Sequence, residues 1–142
     1  MLVGSFRHQL DAKNRIRIPA TYKAQMTGAL VMCVSVNGCI GVYTQEGFEK
    51  TFASYSDVNA FNAEQQKRYT RFLAGVYNVE EDNQGRILLP EKLRSFAGIK
   101  KDVVTVGKLN HLEIWSSERL NAIEEEESFE DTFAFLGQVG KE

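Results

Sequence analysis

The sequence predicts a mainly β fold with peripheral helices, arranged as a pseudo-two-fold swapped-hairpin β-barrel built from two internal repeats. Three observations carry this expectation. First, Asp11-Ala12-Lys13-Asn14-Arg15-Ile16-Arg17-Ile18-Pro19 recurs as Asp82-Asn83-Gln84-Gly85-Arg86-Ile87-Leu88-Leu89-Pro90, an offset of 71 that keeps Asp, Arg, Ile and Pro in register. Second, each copy is followed by a β-branched apolar run, at 30–34 and again at 103–106. Third, each repeat spans only about 43 residues, too few to bury a stable core without staples, so the copies must complete each other. Closing a barrel between them would also remove exposed strand edges.

The correspondence runs beyond the turn. Gly4 and Phe6 match Gly75 and Tyr77, while Ile40-Gly41-Val42-Tyr43 and Glu46 match Leu112-Glu113-Ile114-Trp115 and Glu118 after a one-residue shift. The expected organisation is a first repeat at 5–47, a helical connector at 48–75, a second repeat at 76–119 and an acidic helix and tail at 120–142. Within each repeat an extended segment enters the Asp-to-Arg turn and an apolar strand leaves it. Proline then opens a short helix, at 20–26 or 91–97, where its missing N–H is harmless. Gly28 and Gly98 are the expected helix stops. The next strands end at Tyr43 and Trp115, with Asn37-Gly38 and Asn110-His111 as the intervening turns.

The connector has a different texture. Residues 46–55 and 63–74 read as helices separated by Ser56-Asp57, and a third helix follows Ser116 with Leu120 and Ile123 on its apolar side. The Glu124 to Glu127 run reads as a solvated helix face. Beyond it, Phe129, Phe133, Phe135 and Leu136 are too few for an independent core, and the tail is expected to dock on a neighbour.

Composition narrows the function. A chain of 142 residues, 43% hydrophobic and 25% charged with 2 Pro, has the balance of a folded globular domain. No run approaches the roughly 18 apolar residues of a membrane span, and the start lacks the order of a signal peptide, so a cytoplasmic protein without a membrane partner is expected. Cys33 and Cys39 form no CxxC and stand by no histidine; they are expected as reduced core thiols. His8 and His111 lie far apart, and no metal site is expected. With no phosphate-loop, zinc-protease or serine-hydrolase motif, the chain is not expected to be an enzyme, to hold a cofactor or to turn over a small-molecule substrate. The net charge of −2 conceals a strong asymmetry. Residues 1–40 hold Arg7, Lys13, Arg15, Arg17 and Lys23 against Asp11 alone, while 118–142 hold eight carboxylates against Arg119 and Lys141. A local field of one sign can hold a polyanion while the other end keeps the molecule soluble.

The repeated turn is where this charge gathers. Asp11 and Asp82 are expected to accept backbone N–H bonds and orient the turn. Asn14 and Gly85 are the residue types that accept a left-handed backbone, as a type I turn with a glycine bulge requires. Arg15 and Arg86 leave the bend four places after the aspartate, close enough for the carboxylate to orient the guanidinium. One such pair would be read as a surface bridge worth at most about 1 kcal/mol. Two of them, placed symmetrically and flanked by Arg7, Lys13 and Arg17, suit a phosphate backbone. The expected phosphate-facing set is Arg7, Lys13, Asn14, Arg15, Arg17 and Arg86, the first turn being the more basic. The alternative is a protein-interaction or antitoxin-like assembly module whose Asp-x-x-x-Arg turns make subunit contacts.

The string Gly4-x-Phe6-x-His8-x-Leu10-Asp11-x-x-x-Arg15-Ile16-x-Ile18-Pro19, with a second copy ending in Leu112-Glu113-Ile114-Trp115, resembles the MraZ family of bacterial transcriptional regulators over nearly the whole chain. A single copy would suggest only the broader SpoVT/AbrB-like group. The resemblance implies a barrel of the AbrB type and a ring-shaped homo-oligomer associated with the nucleoid. It further implies binding to short direct repeats in double-stranded promoter DNA upstream of the division and cell wall gene cluster, with a repressive outcome. Asp11, Arg15, Asp82 and Arg86 match the family's DNA-facing loops. Lys13-Asn14 and Arg17 become Gln84-Gly85 and Leu88 in the second copy, which sets the two turns apart.

Overall fold

A computed structural model describes residues 1–141. The fold is mixed α/β, an antiparallel six-stranded sheet with helices on its outer face and a two-stranded ladder beside it. In the first repeat lie β1 (Ser5–Gln9), β2 (Arg15–Arg17), α1 (Ala20–Lys23), β3 (Leu30–Val34) and β4 (Ile40–Thr44). Next come α2 (Gln45–Thr51), a 3₁₀ turn (Ala53–Asp57) and α3 (Ala63–Ala74). The second repeat supplies β5 (Tyr77–Asn78), β6 (Arg86–Leu88), α4 (Glu91–Ala97), β7 (Asp102–Gly107) and β8 (Leu112–Ser116), and α5 (Ser117–Glu126) and α6 (Phe129–Leu136) close the chain.

The strand order is β1-β7-β8-β4-β3-β5, with β2 and β6 paired separately. Strands of one repeat therefore bond strands of the other. β1 lies on β7 with Phe6 opposite Thr105, and β5 lies on β3 with Tyr77 opposite Met32. The two central pairings are symmetric: Ile16 faces its own repeat equivalent Ile87, and Gly41 faces Glu113. A pseudo-two-fold axis passes through both pairs.

The expected closed barrel does not form among the described residues, and the fold is not mainly β, since helices hold more residues than strands. Strand length is the reason. β2 and β6 have three residues each, bounded by a tight turn on one side and by Pro19 and Pro90, which have no N–H to donate, on the other. β5 has two. Such strands cannot carry a continuous ladder around a circumference, so β1 and β5 remain as the two edges of an open sheet.

One core joins both sheets. Ile16, Ile18, Ile87 and Leu89 pack with Met32, Ile40, Val42, Val103, Leu112 and Ile114, and Tyr22 and Leu93 fill in from α1 and α4. On the outer face α2 covers Val31, Cys33 and Tyr43 through Phe48, and α5 covers Val104 and Trp115 through Leu120. These helices are repeat equivalents, capped alike: the Thr44 hydroxyl accepts from the Gly47 N–H and the Ser116 hydroxyl from the Arg119 N–H. Cys33 and Cys39 are free and buried, and burial pushes their thiols up to about 11 and about 12. Among the described residues no helix is long and apolar enough to cross a membrane.

Three local expectations shift. The first proline-led helix ends at Lys23, because the chain loosens into single turns from Gln25 to Tyr22 and from Met26 to Lys23 as Met26 enters the core. Gly28 thus lies beyond the helix cap at Ala24, whereas Gly98 stops α4 in the left-handed conformation as expected. The segment expected at 46–55 is a helix to Thr51 followed by a 3₁₀ turn.

Strand alternation gives a direct test. Ile87→Ala, at a position with no exposure, should destabilise the protein by about 2–5 kcal/mol, while Leu88→Ala, its half-exposed neighbour, should change stability by no more than about 0.5 kcal/mol. Urea midpoints of the two variants measure the contrast.

Candidate functional site

The two Asp-to-Arg turns fold alike. In the first, the Asn14 N–H donates to the Asp11 carbonyl (3.0 Å) and the Asp11 N–H to the Arg15 carbonyl (3.0 Å); Gly85, Asp82 and Arg86 repeat this at 3.0 and 2.9 Å. Asn14 at φ 61° and Gly85 at φ 74° take the left-handed place, as a type I turn with a bulge demands. The Asp11 carboxylate accepts from the Lys13 and Arg15 amides and from Arg15 Nε, each at 2.9 Å. Asp82 accepts from the Gln84 and Arg86 amides (2.8 and 2.9 Å) and from Arg86 Nε (2.7 Å).

These donors stabilise the ionised carboxylates. The Arg86 amide, with the Arg86 guanidinium and the Gln84 amide, holds Asp82 down at about 2 against partial desolvation. For Asp11, desolvation acts upward and is outweighed by the Arg15 and Lys13 amides and the Arg15 guanidinium, so its pKa is lowered.

Pairing of β2 with β6 brings the turns together. Arg15 Nη1 donates across the ladder to Asp82 (3.3 Å), while Arg17 Nε donates to the Gln84 carbonyl (3.0 Å). Ile16 and Ile87 point into the core, so alternation sends Arg15, Arg17, Arg86 and Leu88 to the opposite face. Arg15 stands opposite Leu88, and Arg17 opposite Arg86. Three guanidinium groups thus share one face of a six-residue ladder, with Lys13 exposed at its end.

The surroundings of the two turns differ. The Leu10 N–H donates to the Lys101 carbonyl (2.8 Å), which places exposed Lys100 and Lys101 beside the first turn. The second turn follows Glu80 and Glu81, and Glu81 is paired with Lys23. The sequence reading missed Lys100-Lys101; the dipeptide was visible, but its place depends on β1 pairing with β7. Arg7 sits elsewhere. It faces α5, donating to Ser117 Oγ (3.1 Å) and Asn121 Oδ1 (2.9 Å) and lying 3.6 Å from Glu124, because in β1 it shares a face with Val104 rather than with the core. The structure brings together Lys13, Asn14, Arg15, Arg17, Arg86, Asp11 and Asp82, and leaves Arg7 on the helix.

The family model described as "MraZ protein, putative antitoxin-like" matches residues 1–70 and 72–136. The chain belongs to the MraZ family. Relatives named transcriptional regulator MraZ include one from Lachnoclostridium phytofermentans, 38% identical over 84% of both chains. Another, from Thermoanaerobacter pseudethanolicus, is 37% identical over 83% of this chain and 82% of its own. A third, from Halothermothrix orenii, is 32% identical over 99% of both. The family is one of transcription regulators rather than enzymes.

The lowered Asp82 pKa fixes a pH signature. Its stabilising effect is complete above the unfolded carboxylate value and disappears as pH falls through the folded one. The stability advantage of the wild type over Asp82→Asn should therefore be constant above about pH 5 and shrink from about pH 4 toward pH 2. Thermal melts of both proteins across that range provide the measurement.

Proposed function

We propose that this MraZ-family chain is a sequence-specific DNA-binding repressor whose β2/β6 ladder enters the major groove. The observation that carries the reading is the outward face of that ladder, three arginines and a leucine on a two-stranded ribbon. The major groove is about 12 Å wide and admits such a ribbon, and bidentate arginine is the common reader of guanine there. Arg15, held by Asp11 and Asp82, is assigned to base edges because its orientation is set before binding, which reduces the entropy lost on docking. Leu88 opposite Arg15 is suited to a thymine methyl. Lys13, Arg17, Lys100 and Lys101 supply phosphate contacts, and the acids beside the second turn leave the first dominant. Arg86, bound to Asp82 only through Nε, keeps its terminal nitrogens for the backbone or a neighbouring base.

The finer parts of the reading rest on the family resemblance. They are the short direct repeats, the division and cell wall gene cluster, the AbrB-type arrangement of two repeat units and the ring of identical subunits. One ladder makes few contacts, so affinity is assigned to several ladders on evenly spaced repeats, each bound subunit raising the effective concentration of the next. The competing assignment, in which the arginines join subunits, is separated from this one by the state of the assembly once Arg15 is removed.

Two substitutions test this. Arg15→Ala should weaken operator binding by about 1–3 kcal/mol and relax preference at one base position, with the oligomer unchanged in light scattering. Lys13→Ala should weaken all sequences alike and reduce the slope of log affinity against log salt by about one. Operator affinity untouched in a folded Arg15→Ala protein, or dissociation of its assembly, would refute the base-reading role.

A further inference from the structure

Two surfaces outside the ladder are both apolar and carry opposite charge. The first is a groove of about 560 Å³ between α3 and α4, with Phe72, Ala74 and Phe96 at its floor and Arg68, Arg71 and Lys92 at its rim. Arg68 is engaged by Glu64, whereas Arg71 and Lys92 meet no carboxylate among the described residues. The second is the end of the chain. In α6, Phe129, Phe133 and Leu136 recur at the four- and three-residue spacing of one helix face and are 81, 69 and 59% exposed. The cleft of about 680 Å³ leading into α6 is lined by Ile123 and Phe129 together with Glu124, Glu126 and Glu127, and Glu130 and Asp131 continue the acidic run.

We infer that α6 of one subunit docks in the α3/α4 groove of a second copy of this chain, its phenylalanines against Phe72 and Phe96 and its carboxylates against Arg71 and Lys92. An isolated eight-residue helix is too short to be stable in water, so the apolar face of α6 requires a partner. The two phenylalanines of this face can bury roughly 150–250 Å² each, and Leu136 with the charged rim extends the contact toward the roughly 800 Å² per partner of a standard interface. Helix and groove are different patches of one chain, so the contact is head-to-tail and passes from subunit to subunit until a ring closes or a filament grows. The inference deepens the self-association part of the proposed function and is independent of which surface meets DNA.

The experiment uses the full chain. Native thiols are buried, so added cysteines report alone. Phe133→Cys and Phe96→Cys proteins, mixed under mild oxidation, should give a cross-linked dimer that neither gives alone. In light scattering, Arg71→Glu and the double variant Glu130→Arg/Asp131→Arg should each lose the assembly, and their combination should regain it. Cross-linking within one doubly substituted chain that stays monomeric would overturn the inference in favour of self-docking. An assembly that persists in both charge-reversed proteins without cross-linking would overturn it while leaving self-association standing. A wild-type monomer at all concentrations would remove both.

Discussion

Ile16 and Ile87 lie opposite each other in the β2/β6 ladder, both buried, and each is the repeat equivalent of the other. Because side chains alternate along a strand, burying this pair forces positions 15, 17, 86 and 88 outward. A slip of one residue would turn the arginines into the core, where an unpaired charge is prohibitively costly, and expose the isoleucines. Register is thus specified twice, by what the inner face gains and by what the outer face cannot lose. The aspartates, the orientation of Arg15 and the bond from Arg17 to Gln84 all follow from that register.

Setting cations so close together has an energetic consequence. Arg17 and Arg86 stand directly opposite in the ladder, and like charges in that position repel. The compensation is local: Asp82 accepts from Arg86 and Arg15, and a backbone carbonyl accepts from Arg17. The carboxylates thereby hold the guanidinium groups in place while cancelling only part of their charge. Four cations on the ladder and its first turn face two carboxylates, and Lys100 and Lys101 add to the excess. The scaffold is symmetric and the field on it is not, since the second turn follows Glu80 and Glu81.

Much of this was legible because it is local. The aspartate, the left-handed position and the arginine of each turn are fixed by bonds within five residues, so a repeated string exposes them. The boundaries of α3 and α4 were also legible, from amphipathic spacing in one and from a leading proline and trailing Gly98 in the other. What escaped depends on pairing between distant strands. The place of Lys101 beside Leu10 and the turning of Arg7 toward α5 both require the β1/β7 register, which no local pattern encodes. The closed barrel, expected from two small repeats completing each other, is not reached because strands of two and three residues carry too little ladder. Helix α6 had a local signal that went unused, Ser128 before Glu130-Asp131, whose hydroxyl accepts from the Asp131 amide.

The charge segregation of the chain bears on both proposals at once. A polyanion-binding protein that carries eight carboxylates in its last 25 residues repels its own ligand unless those charges lie far from the bound duplex or are neutralised. In the proposed docking, Arg71 and Lys92 would offset part of that charge. Docking would also cover cations of the groove that could otherwise hold DNA without regard to sequence and dilute the protein over nonspecific sites. With that groove filled, the proposed DNA-facing ladder would be left as the more basic face, so the two proposals support each other: occupying one surface with the chain's own acidic end would sharpen the selectivity of the other.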